Sequence, residues 1–280
     1  MNVSWSSTDV ETLLNWFLEP FEFDFMRNAF ASVALIGVGS AMLGTYVVLR
    51  RSVFIASALS HTILPGVTAA ALLGVSLYWG ALAAALATAL GVGLLSTRRR
   101  MSEDAAIGVV LAFMFALGIL LMTRTQSFRD FSSLLFGSVL GVTRTDLLFA
   151  AGTTLAVAAF FAVFRAPLKL ASFDPEYARL AGARPRLMQT LFLVLVALAA
   201  VSSVRVVGAL LTTALLVIPA AAANLLSKSV GKTATLAAVF SVLSGFAGLY
   251  ASYWFEGVPA GAAIVVAESA TFFAAWLFRR

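Results

Sequence analysis

Long apolar runs separated by short polar breaks make up most of the chain. A run of about 18 or more apolar residues can cross the hydrocarbon core of a bilayer as a helix. Runs of this kind lie at 28–49, 53–73, 77–95, 105–122, 147–164, 187–203, 206–223, 233–254 and 259–278. Since only Arg205 interrupts the stretch from 187 to 223, that stretch can be divided in more than one way. The pattern predicts an all-α polytopic membrane protein with eight or nine transmembrane helices.

Composition agrees with a membrane protein and excludes several other classes. Of the 280 residues, 61% are hydrophobic and 11% are charged, whereas soluble domains are about 45–50% apolar and about 25% charged. The absence of cysteine excludes disulfides, thiolate metal sites and cysteine nucleophiles. The net charge of +6 does not indicate nucleic acid, because the basic residues lie at the ends of apolar runs and form no single basic face.

The positions of Lys and Arg predict the orientation of the chain. With nine spans, fourteen of the 19 basic residues fall on one side, which the positive-inside rule places in the cytoplasm. The amino terminus is then outside and the carboxyl terminus inside. Residues 1–26 contain five acidic residues and no Lys or Arg, so we expect an extracytoplasmic N-terminal segment over 1–26 and one membrane domain over 27–280. A short apolar run at 128–142 predicts a re-entrant or interfacial helix on the outer side.

The only histidine, His61, lies near the middle of the second apolar run. Ionisable side chains at that depth are costly and by default functional. Ser57 lies four residues earlier on the same helical face, and Pro65, four residues later, has no N–H to donate to the carbonyl of His61. Imidazole, hydroxyl and a freed carbonyl together predict a transient site for a divalent cation. The alternative is that His61 makes a buried hydrogen bond between helices.

Glu268 lies ten positions into the last run and is the second ionisable group at mid-depth. One hypothesis is that it joins His61 on a translocation path, and the other is that it pairs with a hydroxyl or backbone group for packing. Pro219 is predicted to break another span and to free the carbonyl of Leu215, and interrupted helices mark the substrate pathway in many transporters.

The loop at 165–186 carries the signals of a short helix between two spans. The loop has, in order, an N-cap residue, a proline in the first turn, an acidic residue that complements the helix dipole and a glycine that ends the helix. These residues are Asp174, Pro175, Glu176 and Gly182. The side chains that the helix would present to a partner are Tyr177, Arg179 and Leu180. We expect this helix to dock against another protein on the cytoplasmic side.

Motifs of catalysis are missing from the chain. No GxxxxGK[ST] sequence is present, so ATP cannot be bound by a P-loop of this chain, and no HExxH sequence indicates a zinc protease. The sequence therefore predicts a transport protein and not an enzyme.

Five segments resemble one family in the same order along the chain. They lie at 44–67 (GTYVVLRRSVFIASALSHTILPGV), 134–147 (LLFGSVLGVTRTDL), 172–187 (SFDPEYARLAGARPRL), 207–223 (VGALLTTALLVIPAAAA) and 259–266 (PAGAAIVV). Over residues 26–278 the sequence resembles the integral membrane permease subunit of ABC importers for zinc, manganese or iron.

The resemblance implies a bacterial plasma-membrane permease that works as a homodimer or pseudo-dimer. ATP hydrolysis would occur on two separate ATPase subunits, into which the helix at 175–180 would insert as a coupling helix. A substrate-binding protein would deliver the metal at the outer face, and the chain would hold no resident cofactor, with zinc or manganese as the transported ion.

One position departs from the family pattern. The family commonly has an aspartate four residues before this histidine, whereas this chain has Ser57. A neutral hydroxyl is a weaker ligand than a carboxylate, so we expect the site to hold a dication less tightly. A secondary cation transporter or channel, and an ABC permease for a metal chelate, are the alternative functions.

Overall fold

A computed structural model describes residues 18–96, 102–123 and 139–279, and this part of the chain is built from α-helices and one 3-10 turn. The helices are α1 (Asp24–Leu49), α2 (Phe54–Thr62), α3 (Leu64–Leu73), α4 (Leu77–Ser96), α5 (Glu103–Met122), α6 (Arg144–Phe173), α7 (Pro175–Leu180), α8 (Pro185–Leu226), α9 (Val230–Trp254) and α10 (Ala260–Leu277). Within these residues, nine segments are long and apolar enough to span a membrane. Since α2 and α3 share one span and α8 provides two, the upper end of the predicted range is confirmed.

The long helix α8 is divided by Gly208, which lies in the left-handed region with φ 84° and ψ 164°. Both halves of α8 reach the same end of α1. The ring of Phe192 lies 6.3 Å from that of Tyr46, and the backbone of Leu216 lies directly against Gly44. The chain therefore reverses direction at the break, which only glycine accommodates without strain.

The predicted interruption at Pro219 is wrong. Helix α8 continues through Pro219 to Leu226, and Gly208 is the residue of α8 with non-helical backbone angles. A proline inside a helix removes one hydrogen bond, and in a membrane neighbouring helices compensate for such a loss. Here α1 packs closely against this part of α8 through Gly44 and Ala220, and the helix continues across the proline.

Polar side-chain caps start two of the spans, α5 and α6. Ser102 accepts a hydrogen bond from the amide of Ala105 at 3.2 Å and starts α5. Thr143 and Asp146 form a complete capping box at the start of α6, in which the Thr143 amide donates to Asp146 at 3.1 Å. These caps satisfy backbone donors that the first helical turn leaves free.

Two predicted segments fall largely outside the described residues. The N-terminal segment is not described over residues 1–17. The expected re-entrant helix is mostly contained in residues 124–138, which are not described either. The end of the second segment is the 3-10 turn Val139–Gly141. At the start of the described chain, Phe21 stacks on Phe30 of α1 with ring centroids 4.6 Å apart. The division into 1–26 and 27–280 stays a prediction.

Glycines bring α3 and α4 into backbone contact. A Cβ built at Gly66 would collide with the carbonyl oxygen of Gly80, and one built at Gly80 would collide with that of Gly66. Small residues of this kind allow membrane helices to approach closely where no hydrophobic force draws them together. The contact fixes α3, and with it the carboxyl-terminal half of the span that begins at α2.

Replacing Gly66 with alanine should lower the thermal stability of the detergent-solubilised protein. The obstructing atom belongs to the backbone and cannot rotate away, and overpacking of this kind costs about 1–3 kcal/mol or more. Gly108→Ala is the matched control, because a Cβ at Gly108 meets no atom within 4 Å. Equal melting temperatures for both variants would contradict the close contact.

Candidate functional site

One face of α2 is left open by the surrounding helices. Ser57 and His61 are half-buried and Phe54 is 71% exposed, whereas the other residues of α2 are buried. These three residues lie on one face because they are spaced three and four positions apart. The structure thus brings Ser57 and His61 to the same accessible surface, as their spacing predicts.

The His61 imidazole is not engaged in a hydrogen bond with any residue that the structure describes. Its nearest aromatic neighbour is Phe115 of α5, whose ring centroid is 6.4 Å away in an edge-on arrangement. A buried hydrogen bond between helices, the alternative hypothesis for His61, is therefore not observed in the described part of the chain. The ring nitrogens remain available to a ligand.

The helix breaks immediately after His61. Helix α2 ends at Thr62 and α3 begins at Leu64, with Pro65 in its first turn. The break at this proline was predicted, but the expected free carbonyl was not found. The backbone N–H of Ile63 donates a hydrogen bond to the carbonyl of His61. The side-chain groups that could bind a metal ion here are therefore the imidazole of His61 and the hydroxyl of Ser57.

Glu268 is buried in a different part of the bundle. Its side chain is 1% exposed, and neither carboxyl oxygen has a hydrogen-bond partner among the described residues. One turn further along α10, Thr271 and Ser244 of α9 share a hydrogen bond of 2.8 Å. The packing hypothesis for Glu268 thus lacks the hydroxyl or backbone partner that it requires.

The helices that carry His61 and Glu268 share the long helix α8 as a neighbour and otherwise pack against different helices. Helix α2 packs mainly against α4, α5 and α8, whereas α10 packs mainly against α8 and α9. In the ranges that the structure covers, no group of three or more His, Asp or Glu side chains could hold a metal ion. One copy of the chain therefore presents separate ionisable groups and no preformed metal centre.

Helix α7 is built as its sequence predicts. The Asp174 side chain accepts a hydrogen bond from the amide of Tyr177 at 2.9 Å, and the helix begins at Pro175. At the other end Gly182 adopts φ 78°, and the Ala183 amide donates to the carbonyl of Ala178 at 2.9 Å. These contacts at the carboxyl end are the features of a Schellman motif. Helix α7 is therefore capped at both ends.

Helix α7 has one buried side chain and several exposed ones among its described side chains. Ala178 is fully buried and anchors the helix, whereas Leu180 is 87% and Tyr177 58% exposed. Glu176 and Arg179 are exposed as well. Tyr177 and Leu180 thus leave two large side chains with apolar surface accessible on one short helix, where another protein can cover them.

A cavity beside α7 was not anticipated from the sequence. It is a partly open cavity of about 340 Å³ between the ends of α1, α4, α6 and α7 and the starts of α5 and α8. Arg50, Glu103, Arg179 and Arg186 contribute its charged lining. The sequence feature that could have indicated this cavity is the clustering of charged residues at the ends of the helices.

Comparison with known proteins gives consistent relatives. The ABC 3 transport family model matches residues 22–279. A probable iron transport system membrane protein of Haemophilus influenzae is 35% identical over 260 residues, which cover 93% of this chain and 96% of the relative. The manganese transport system membrane protein MntC of Listeria innocua is 35% identical over 257 residues, covering 92% and 91%.

A solved structure shares the fold. PsaBC from Streptococcus pneumoniae in complex with Fab is similar with a TM-score of 0.82 and 28% identity, over 95% of this chain and 96% of that chain. Both the sequence relatives and this structure are matched over nearly their full length. The chain accordingly belongs to the ABC 3 transport family and is a multi-pass membrane permease of an ABC transporter.

Proposed function

We propose that this permease passes a divalent transition-metal ion, manganese or zinc, into the bacterial cytoplasm. The observation that carries the proposal is the open face of α2, where His61 and Ser57 lie together and the imidazole has no partner among the described residues. Relatives named for manganese and iron transport support a metal as the cargo. Imidazole suits zinc, whereas oxygen donors suit manganese, and the name of the Listeria relative favours manganese over zinc.

The metal-binding groups of one copy of the chain suit the passage of an ion better than its tight binding. One imidazole and one hydroxyl are too few to satisfy a transition-metal dication, and the hydroxyl replaces the charged aspartate that the family commonly has. Conduction requires a site that binds well enough to be entered and weakly enough to be left. Two copies of the chain facing each other would double the donor set, so the proposal includes a homodimeric pore.

The partners follow from the absence of an ATP site in the sequence and from α7. ATP hydrolysis is assigned to separate ATPase subunits, whose cleft would receive the exposed face of α7. A metal-binding protein would deliver the ion at the opposite face of the membrane. In this arrangement the side of α7 is cytoplasmic, which agrees with the excess of Lys and Arg on that side.

The function is tested by reconstituting the chain with its ATPase in liposomes and measuring the uptake of manganese, zinc and iron. ATP-dependent uptake of manganese or zinc is the expected result. Uptake at the same rate by the chain alone would contradict an ABC mechanism and favour a channel or secondary transporter. Movement of an intact metal chelate, in preference to the free ion, would contradict the proposed cargo.

Glu268 is proposed as a second ionisable contact on the path, distinct from the His61 site. Replacing Glu268 with glutamine should slow metal uptake several-fold, because the amide keeps the size of the side chain and cannot ionise to balance the charge of a dication. Ser241→Ala is the control, since the Ser241 hydroxyl is likewise buried without a partner among the described residues. Unaltered uptake by the glutamine variant would remove Glu268 from the path.

A further inference from the structure

The cavity beside α7 lies outside the proposed ion path and has the size of a ligand site. Its volume of about 340 Å³ falls within the range of about 300–1,000 Å³ that is usual for small-molecule pockets. Its lining joins polar groups of several helices, including Ser96 of α4 and Gln189 of α8, whose side chains approach to 3.5 Å. The cavity is thus a polar chamber and not a gap in apolar packing.

Positive charge dominates the lining. Arg50, Arg179 and Arg186 face one carboxylate, that of Glu103. Arg50 lies 3.7 Å from Glu103, while Arg179 and Arg186 form no ion pair with any described residue. Two guanidinium groups that line a cavity without a counter-charge favour an anionic occupant, and their planar donors match the oxygens of a phosphate.

The start of α8 adds one backbone donor to the same wall, the amide of Arg186, since Pro185 has no N–H. The N-cap residue Arg184 makes no capping hydrogen bond with its side chain, and Pro185 and Arg186 of the first turn line the cavity. The first amides of a helix lack partners within the helix, and the dipole of a long helix places positive potential at this end. Side chains and backbone therefore favour the same kind of ligand.

We propose that this cavity binds a phosphate-bearing anion, supplied either as the headgroup of an anionic phospholipid or as free phosphate. The anion would accept hydrogen bonds from Arg179 and Arg186, while Arg50 stays paired with Glu103. Arg179 belongs to α7, and Arg186 belongs to the start of α8. A bound anion would therefore tie the docking helix to the bundle and stiffen the element that faces a partner.

The test measures anion binding by the purified full-length chain in detergent, without ATPase or metal. Native mass spectrometry would give dissociation constants for phosphatidylglycerol, for phosphatidylcholine as the zwitterionic comparison, and for inorganic phosphate. The Arg179→Gln/Arg186→Gln double variant removes the two unpaired charges. The Lys228→Gln/Lys232→Gln control removes the same amount of charge from exposed positions that do not line the cavity.

We expect the arginine variant to bind the anion at least about tenfold more weakly, because two charge-assisted contacts are lost, and the lysine control to change less than about twofold. If only the binding of phosphatidylglycerol is weakened in the arginine variant, the site is assigned to a lipid headgroup. If the binding of inorganic phosphate is weakened in the same way, the site is assigned to the free anion. Equal losses in both double variants, or unchanged binding in the arginine variant, would overturn the proposal.

Two checks separate folding and transport from anion binding. Size-exclusion elution and helical content should match the wild type, and Arg186→Gln alone, which leaves α7 intact, should show an intermediate loss of affinity. Since the assay uses no transported ion and no ATPase, its result is independent of the proposed metal import. A failure of metal uptake therefore leaves the anion site testable, and the reverse also holds.

Discussion

Replacing His61 with alanine should reduce metal uptake by the assembled transporter at least about tenfold while leaving the fold intact. His61 is the only histidine of the chain, it lies on the open face of α2, and its imidazole has no partner among the described residues. Loss of groups that merely support a metal ligand costs about 10–100-fold in affinity or activity, so loss of the ligand itself should cost no less. Uptake of manganese into proteoliposomes that contain the ATPase measures the effect.

Ser60→Ala is the matched control for this experiment. Ser60 precedes His61, but its hydroxyl is buried and donates to the carbonyl of Ala56 at 3.0 Å. It therefore lies on the packed side of α2, and its removal should leave uptake within about twofold of the wild type, since the replaced bond is local and weak. Normal uptake by His61→Ala, or equal losses in both variants, would show that the open face of α2 does not contact the ion.

Features that depend on a short stretch of sequence were predictable. The spans follow from the length of the apolar runs, because a membrane-crossing helix needs a fixed number of apolar residues. Helix α7 was predictable to the residue, since the cap at Asp174 and the glycine at Gly182 act within one turn of the chain. Ser57 and His61 share a face because the helical repeat places them there.

Features that depend on distant packing were not predictable. The division of the apolar stretch 187–223 at Arg205 comes close to the reversal at Gly208, but the break predicted at Pro219 does not occur, since α8 continues through it while packed against α1. The contact of Gly66 with Gly80 joins two different spans, and nothing in either segment alone indicates it. In a membrane bundle, close packing with neighbouring helices outweighs local helix propensity.

The charged groups likewise combine features that were predictable from the sequence with features that were not. Sequence position predicted correctly that Glu268 lies within a span, but not that its carboxyl group would be buried without a hydrogen-bond partner in the described part of the chain. Arg50 and Arg186 were placed only on one side of the membrane by the charge count, and the fold shows that they meet Glu103 and Arg179 around one cavity. Depth in the membrane is a property of one helix, whereas a binding site is a property of several.

Replacing Leu180 with aspartate should weaken binding of the ATPase subunit at least about tenfold and abolish ATP-driven uptake. Leu180 is 87% exposed at the end of α7, so it contributes little to the stability of this chain and is available to fill an apolar pocket of a partner. If Leu180 is a hot spot of the interface, its removal costs about 2 kcal/mol or more, which is about thirtyfold in affinity. Co-purification with the ATPase and its dissociation constant measure the loss.

Phe278→Asp is the matched control, because Phe278 is a similarly exposed apolar residue, 78% accessible, at the end of α10. It introduces the same charge at another helix end and should leave the ATPase bound. Aspartate near the carboxyl end of α7 also opposes the helix dipole, at about 0.3–1 kcal/mol. Leu180→Gln avoids that penalty, so weak ATPase binding by both Leu180 variants would assign the loss to the missing apolar contact. Equal retention of the ATPase by the Leu180 and Phe278 variants would show that α7 is not the docking element.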